Sequence, residues 1–185
     1  TQLDAPVRLS CAEGGFDALL ADLALHKLDV VLTDRPVRSG TTLRLSSHLL
    51  FESEMIVAAT PTLARRYSRQ FPDSLNVAPF LLPARNNALR GKIDEWFERH
   101  QVRPDVVGEF EDNALLNTFG RNGAGLFFAP AALAVDLHAQ FGTLIVGPVP
   151  QVREQCYAVS TGRKIEHPAV AAIIAAAGRG MFISQ

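Results

Sequence analysis

The sequence predicts an α/β protein folded as two lobes from a single chain. Three observations carry that expectation. Short apolar runs typical of buried strands alternate with longer segments whose apolar residues recur at helical spacing. This alternation occurs twice, in two series joined near residue 60. The chain then returns to the first series near residue 160, so two segments cross from lobe to lobe. The expected division is residues 1–58 with 160–185 for the first lobe and 59–159 for the second. A length of 185 residues suits one domain or two small lobes.

The elements follow in order. Val7 to Ala12 alternates in polarity and reads as a strand, and Glu13-Gly14-Gly15 is a turn into a helix. In that helix Phe16, Leu19, Leu20 and Leu23 form one stripe. Leu28 to Leu32 is a continuous apolar run, expected of a parallel strand covered on both faces. A β-α-β unit is therefore expected over residues 7–34. Val37 to Thr42 is a polar loop, and Leu43 to Thr60 reads as one or two strands. Pro61 opens a helix with Leu63, Tyr67 and Phe71 on one side, broken at Pro72-Asp73-Ser74.

The second series begins with Phe80-Leu81-Leu82, a short strand closed by Pro83. A helix over 87–100 presents Leu89, Ile93, Trp96 and Phe97 on one face. Val106 to Phe110 is a strand, and Glu111-Asp112-Asn113 caps a helix whose expected core residues are Leu115, Leu116 and Phe119. That helix ends across Gly120 to Gly125. Leu126 to Ala129 is a buried strand, and Pro130 suits the first turn of a helix running through Leu137. Thr143 to Val149 and Gln155 to Ser160 read as two strands. A last helix starts at Pro168, with Val170, Ile173, Ile174 and Ala177 as its stripe and Gly178 and Gly180 ending it.

Composition narrows the function. With 18 basic and 19 acidic residues the formal net charge is -1, so no surface rich in Lys and Arg is expected to hold nucleic acid. Arg65, Arg66 and Arg69 read as a solvated helix face. Cys11 and Cys156 fall in apolar runs and are expected to be buried free thiols. No secretion signal and no apolar stretch of membrane-spanning length is read, so no membrane partner is expected. GRNGAG, residues 120–125, follows a helix and precedes a strand, the reverse of a phosphate-binding loop. The five histidines are scattered without ligand spacing, no Gly-x-Ser-x-Gly elbow occurs, and no enzyme activity, cofactor or metal is expected.

Three polar clusters stand at expected strand ends: Thr33-Asp34-Arg35, Arg85-Asn86-Asn87 and Glu111-Asp112-Asn113. Capping and solvation explain any one of them, because Asx residues favour helix starts. Two crossing segments leave a cleft, however, and ligands of open α/β sheets bind beyond the carboxyl ends of the strands. All three clusters are expected to converge on such a small-ligand site. Asp34, Glu111 and Asp112 would offer hard oxygens to a cation. Arg35 and Arg85 would instead hold a carboxylate in two-toothed fashion. The residues do not decide between these.

The stretch VRLSCAEGGFDALLADLALHKLDVVLTD resembles the effector-domain segment of LysR-type transcriptional regulators. SEMIVAATPTLARRY is similar to the family's crossover, NALLNTFGRNGAGLFFAP to its helix, glycine turn and strand, and EQCYAVSTGRKIEHPAV to its return strand and closing helix. The resemblance covers about Val7 to Ala177. Within the family, HKLDVVLTDRPV, FLLPARNNALRGKIDEWF and VVGEFEDNALLNTFG most resemble the activator of a sodium/proton antiporter. The resemblance implies the fold of type 2 periplasmic binding proteins, two α/β lobes around a cleft. It implies a cytoplasmic regulator, a homodimer or tetramer, that meets DNA only through a helix-turn-helix domain not seen in this sequence. A small-molecule or ion effector, sodium or lithium in the antiporter branch, would contact Thr33, Asp34, Arg35 and Pro36, the neighbourhood of Arg85, Asn86 and Asn87, then Glu111, Asp112 and Asn113, and Phe128. The family's first effector-domain strand and helix are expected to be absent before Thr1. A transport-linked periplasmic solute-binding protein of the same fold is the alternative, and an enzyme using the cleft is a third.

Overall fold

A computed structural model describes residues 8–38, 45–161 and 170–172. In order, the elements are α1 (Phe16–Ala24), β1 (Val31–Thr33), β2 (Leu45–Ala59), α2 (Pro61–Tyr67), β3 (Pro79–Pro83), α3 (Ala88–Arg99), β4 (Asp105–Phe110), α4 (Asn113–Arg121), β5 (Leu126–Pro130), α5 (Ala134–Phe141) and β6 (Leu144–Thr161). Short 3₁₀ turns at Asp73–Leu75 and Ala131–Leu133 precede β3 and α5. The chain divides into a first unit, Thr1–Glu52 with Gln155–Gln185, and a second, Ser53–Glu154. The two chain crossings are the long strands β2 and β6, which run through those boundaries. The two separate strands expected over Thr143 to Val149 and Gln155 to Ser160 are thereby replaced by one, β6.

In the second unit the strand order is β2-β5-β3-β4, with β3 parallel to both β4 and β5 and β2 antiparallel to β5. Alternate residues go to opposite faces of these strands. Met55, Val57, Phe80, Leu82, Leu126 and Phe128 pack with Leu89, Ile93, Trp96 and Phe97 of α3. Ile56, Ala58, Leu81, Phe127 and Ala129 form a second core with Leu116 of α4 and Leu137 of α5. Both faces are covered along β3, β5 and the end of β2, which is why these stretches are apolar at every position. Each such large side chain contributes roughly 1.5–3 kcal/mol by leaving water. Gly120 lies so close to the Phe127 ring that an added methyl would overlap it. Gly142 ends α5 at φ 67°, the left-handed conformation glycine adopts without a side-chain clash.

The first unit is smaller in what it buries. Leu20 and Leu23 of α1 pack with Val31 and Val159, flanked by Phe16, Leu19 and Leu28. β1 pairs antiparallel with β6, Val31 opposite Val159 and Thr33 opposite Tyr157. This corrects the expected β-α-β unit. Residues 8–15 form no strand and are exposed, because no strand among the described residues offers them a ladder. β1 is not covered on both faces either, since Leu32 is 54% exposed.

Other local expectations change too. Of the three expected core residues on α4 only Leu116 is buried; Leu115 and Phe119 are 48% and 47% exposed, because a nine-residue helix turns one narrow stripe to the sheet. Pro130 ends β5 and caps a 3₁₀ turn, with α5 starting later at Ala134. Cys11 is exposed and Cys156 half-buried, and both are free thiols. Val7, the loop from residue 39, Leu43, and most of the expected last helix lie outside the described residues, with 170–172 helical.

Candidate functional site at the strand exits

In the first unit, β1 delivers Thr33 to a bend holding Asp34 and Arg35. The Arg35 Nε donates to Asp34 Oδ1 at 2.9 Å, and the Thr33 hydroxyl approaches the same oxygen at 3.5 Å. The guanidinium carbon of Arg35 lies 5.1 Å from the Phe16 ring centroid, a cation–π arrangement. After Pro36, the Val37 amide donates to the Ser47 hydroxyl at 2.9 Å, which ties the loop to β2. A cavity of about 240 Å³ is lined by Phe16, Leu19 and the run Val31 to Arg35. A second, of about 360 Å³, shares Phe16 and Arg35 and reaches Pro36, Val37 and Arg38. The polar tip of β1 thus borders concave surface lined by both polar and apolar groups.

In the second unit, the exits of β3 and β4 are neighbours. Pro83 stands opposite Phe110 in register, and the Ala84 amide donates to the Phe110 carbonyl at 2.7 Å. Arg85, Asn86 and Asn87 follow one strand, and Glu111, Asp112 and Asn113 the other, so the structure brings these two clusters together at one sheet end. Asn87 caps α3, its side-chain oxygen accepting from the Leu89 amide at 2.8 Å. Asp112 caps α4, accepting from the amides of Ala114 at 2.7 Å and Leu115 at 3.3 Å. Arg85, Asn86, Glu111 and Asn113 are exposed. Phe128 is placed differently. It lies within β5, 7% exposed, in an aromatic cluster with Phe80, Trp96 and Phe97.

Sequence reasoning missed Arg90 and its partners Glu109 and Asp94 here. Arg90, in the first turn of α3, is only 4% exposed. Its Nη1 donates to the Pro83 carbonyl at 2.8 Å and pairs with Glu109 Oε1 at 2.6 Å. Its Nε pairs with Asp94 at 2.9 Å. Burial alone would lower the Arg90 pKa, but hydrogen bonds and charges from Asp94 and Glu109 hold it above its ordinary value. The hydrogen bond from Arg90, and then its charge, keep the Glu109 carboxyl below the usual carboxylate range, with Arg85 adding a lesser pull. The available signal was a cation at a helix start, where the macrodipole disfavours it. Among the described residues, no group of three His, Cys, Asp or Glu is placed to hold a metal ion.

The family model described as the LysR substrate binding domain matches residues 3–181. The chain belongs to that family. The transcriptional activator protein NhaR of Escherichia coli strain K12 is 32% identical over 165 residues, which are 89% of this chain and 54% of that protein. NhaR of Shigella flexneri matches to the same extent. The chain therefore spans about half the length of the curated relatives it matches. Among solved structures, the effector binding domain of QuiR in complex with shikimate superposes with a TM-score of 0.64 at 18% identity, covering 90% of this chain and 78% of that one. The apo regulatory domain of HypT from Salmonella typhimurium gives 0.68 at 16% identity, covering 96% and 85%. The fold is that of LysR effector-binding domains, which is type 2 periplasmic-binding-protein-like. Family relatives are transcriptional regulators rather than enzymes.

Proposed function

We propose that this domain senses a small effector for a transcriptional activator, and that the polar strand exits contact it. In the first unit the contacts are Thr33, Asp34, Arg35 and Pro36. In the second they are Arg85, Asn86, Asn87, Glu111, Asp112 and Asn113. The observation that carries this reading is the pairing of β3 and β4 exits through Ala84 and Phe110, in a chain of the LysR family. Parallel-strand exits are where open α/β sheets take ligands. Family membership favours the regulator over a transport-linked solute-binding protein or an enzyme. The effector acts by binding one conformation more tightly than another, and shifts the equilibrium only by that difference.

The resemblance to a sodium/proton-antiporter activator makes sodium and lithium the first effectors to test. Two of the acids expected to read them already have internal partners, Asp34 in Arg35 and Asp112 in the α4 amides. Small carboxylates, for which Arg35 and Arg85 are suited, belong in the same screen. Melting temperature is measured with sodium, lithium and potassium chlorides and with potassium acetate, succinate and benzoate. One class raises it, since a ligand of the native state stabilises that state. No shift with any of them contradicts the reading.

In this reading the regulator is cytoplasmic and meets DNA through a separate domain. No helix among the described residues is long and apolar enough to cross a membrane. A second copy is proposed to cover β4, which ends the strand order and exposes Val106 and Val107 on an edge unpaired among the described residues. Val107→Lys then shifts sedimentation toward the monomer, and an unchanged profile contradicts this interface.

A further inference from the structure

We propose that Arg90 is the positioning residue for the second-unit cluster, fixing the exits of β3 and β4 in one geometry from beneath. This rests on the reading that those exits contact the effector. Arg90 sits in the first turn of α3, where the helix's own field opposes a cation. Its partner Asp94 follows at i+4, an order in which the pair supports a helix less than the reverse. Local helix energetics therefore give no reason for an arginine here. Its tertiary contacts do. One guanidinium joins three elements: the last carbonyl of β3 at Pro83, the Glu109 carboxylate of β4, and Asp94 of α3 itself.

Burying a guanidinium at 5% side-chain exposure is costly unless its donors are satisfied. Here the fork of N–H groups meets acceptors in three directions, which the single ammonium of lysine cannot reproduce. The consequence falls on Arg85 to Asn87. Pro83 and Ala84 are the last residues before that run; Arg90 holds the first by its carbonyl, and β4 holds the second by its amide. Glu109 stands one residue before Phe110, whose carbonyl accepts from Ala84. Anchoring Glu109 therefore anchors the acceptor as well.

Amide hydrogen exchange of this chain tests the assignment without any effector. The reporter is Ala84, with Ala64 and Gly142 of the same unit, bonded to Thr60 and His138, as references. Arg90→Met is expected to lower protection at Ala84 about tenfold more than at the references. Glu109→Gln, which keeps an acceptor but removes its charge, produces a smaller loss at the same site. Arg90→Lys restores part of the protection. An unchanged Ala84, or an equal loss at all three amides in each variant, overturns the proposal by making Arg90 an ordinary stabilising residue. The cation and carboxylate screen run on wild type separates the two claims. If no probe binds, the sensor reading falls, while the exchange pattern still decides Arg90.

Discussion

The exit of β1 and the paired exits of β3 and β4 carry similar side chains but hold them by different means. At β1, Asp34 and Arg35 pair with each other at the surface, both about 40% exposed, and a hydrogen bond from the Val37 amide to the Ser47 hydroxyl helps anchor the loop. At β3 and β4, a buried guanidinium, a ladder bond and two helix caps fix the backbone before any polar group reaches solvent. An exposed ion pair is worth little and is screened by salt. At Arg90 the guanidinium itself is buried although Asp94 and Glu109 stay about 40% exposed, and a buried cation is costly to leave unpaired, which favours a single geometry. The difference teaches that the same Asx- and Arg-rich composition gives an adaptable contact in one unit and a preorganised one in the other.

The largest effect expected from disturbing this contrast lies under the preorganised exits. Phe80→Ala, in the core against Phe97 and Phe128, should cost about 3–5 kcal/mol in denaturant unfolding. Gly120→Ala comes next, at about 1–3 kcal/mol, because Phe127 must move to admit the methyl. Asp112→Ala should cost about 0.5–2 kcal/mol through loss of the α4 cap. Asp34→Ala should cost no more than about 1 kcal/mol, as expected of a surface pair. If Asp34→Ala proves the more destabilising of the two, the contrast fails. By calorimetry the variant carrying both Asp34→Ala and Asp112→Ala should bind effector more weakly while its melting stays cooperative.

A smaller effect concerns acid. The Glu109 pKa is lowered in the folded state, so its stabilising contribution is present above the ordinary carboxylate pKa of about 4.3 and is lost as pH falls through the folded value. Glu109→Gln should flatten that part of the stability profile measured from neutral pH downward. A profile identical to wild type would detach Glu109 from Arg90.

Much of the architecture was legible in the residues. The unbroken run Leu126 to Ala129 announced a strand covered on both faces, and Asn87 and Asp112 announced two helix starts at their capping positions. Periodicity was less able to show that a strand continues through polar residues. Pro150, Gln151 and Glu154 hid the continuity of β6, which comes from its ladders with β1 and β2. Residues 8–12 alternate like a strand, yet a strand exists only with a ladder partner, which is not a local property. The exits themselves were readable as clusters. Arg90 was not, because within the stripe of Leu89 and Ile93 its burial depends on acceptors from β3 and β4 that sequence spacing does not reveal.

The most direct test of the account is a residue-resolved NMR titration of this chain with the cation and carboxylate panel. The binding class is expected to perturb amides at Thr33 to Val37, Arg85 to Asn87 and Glu111 to Asn113. Perturbations confined to other surfaces, with those three runs unmoved, would contradict it.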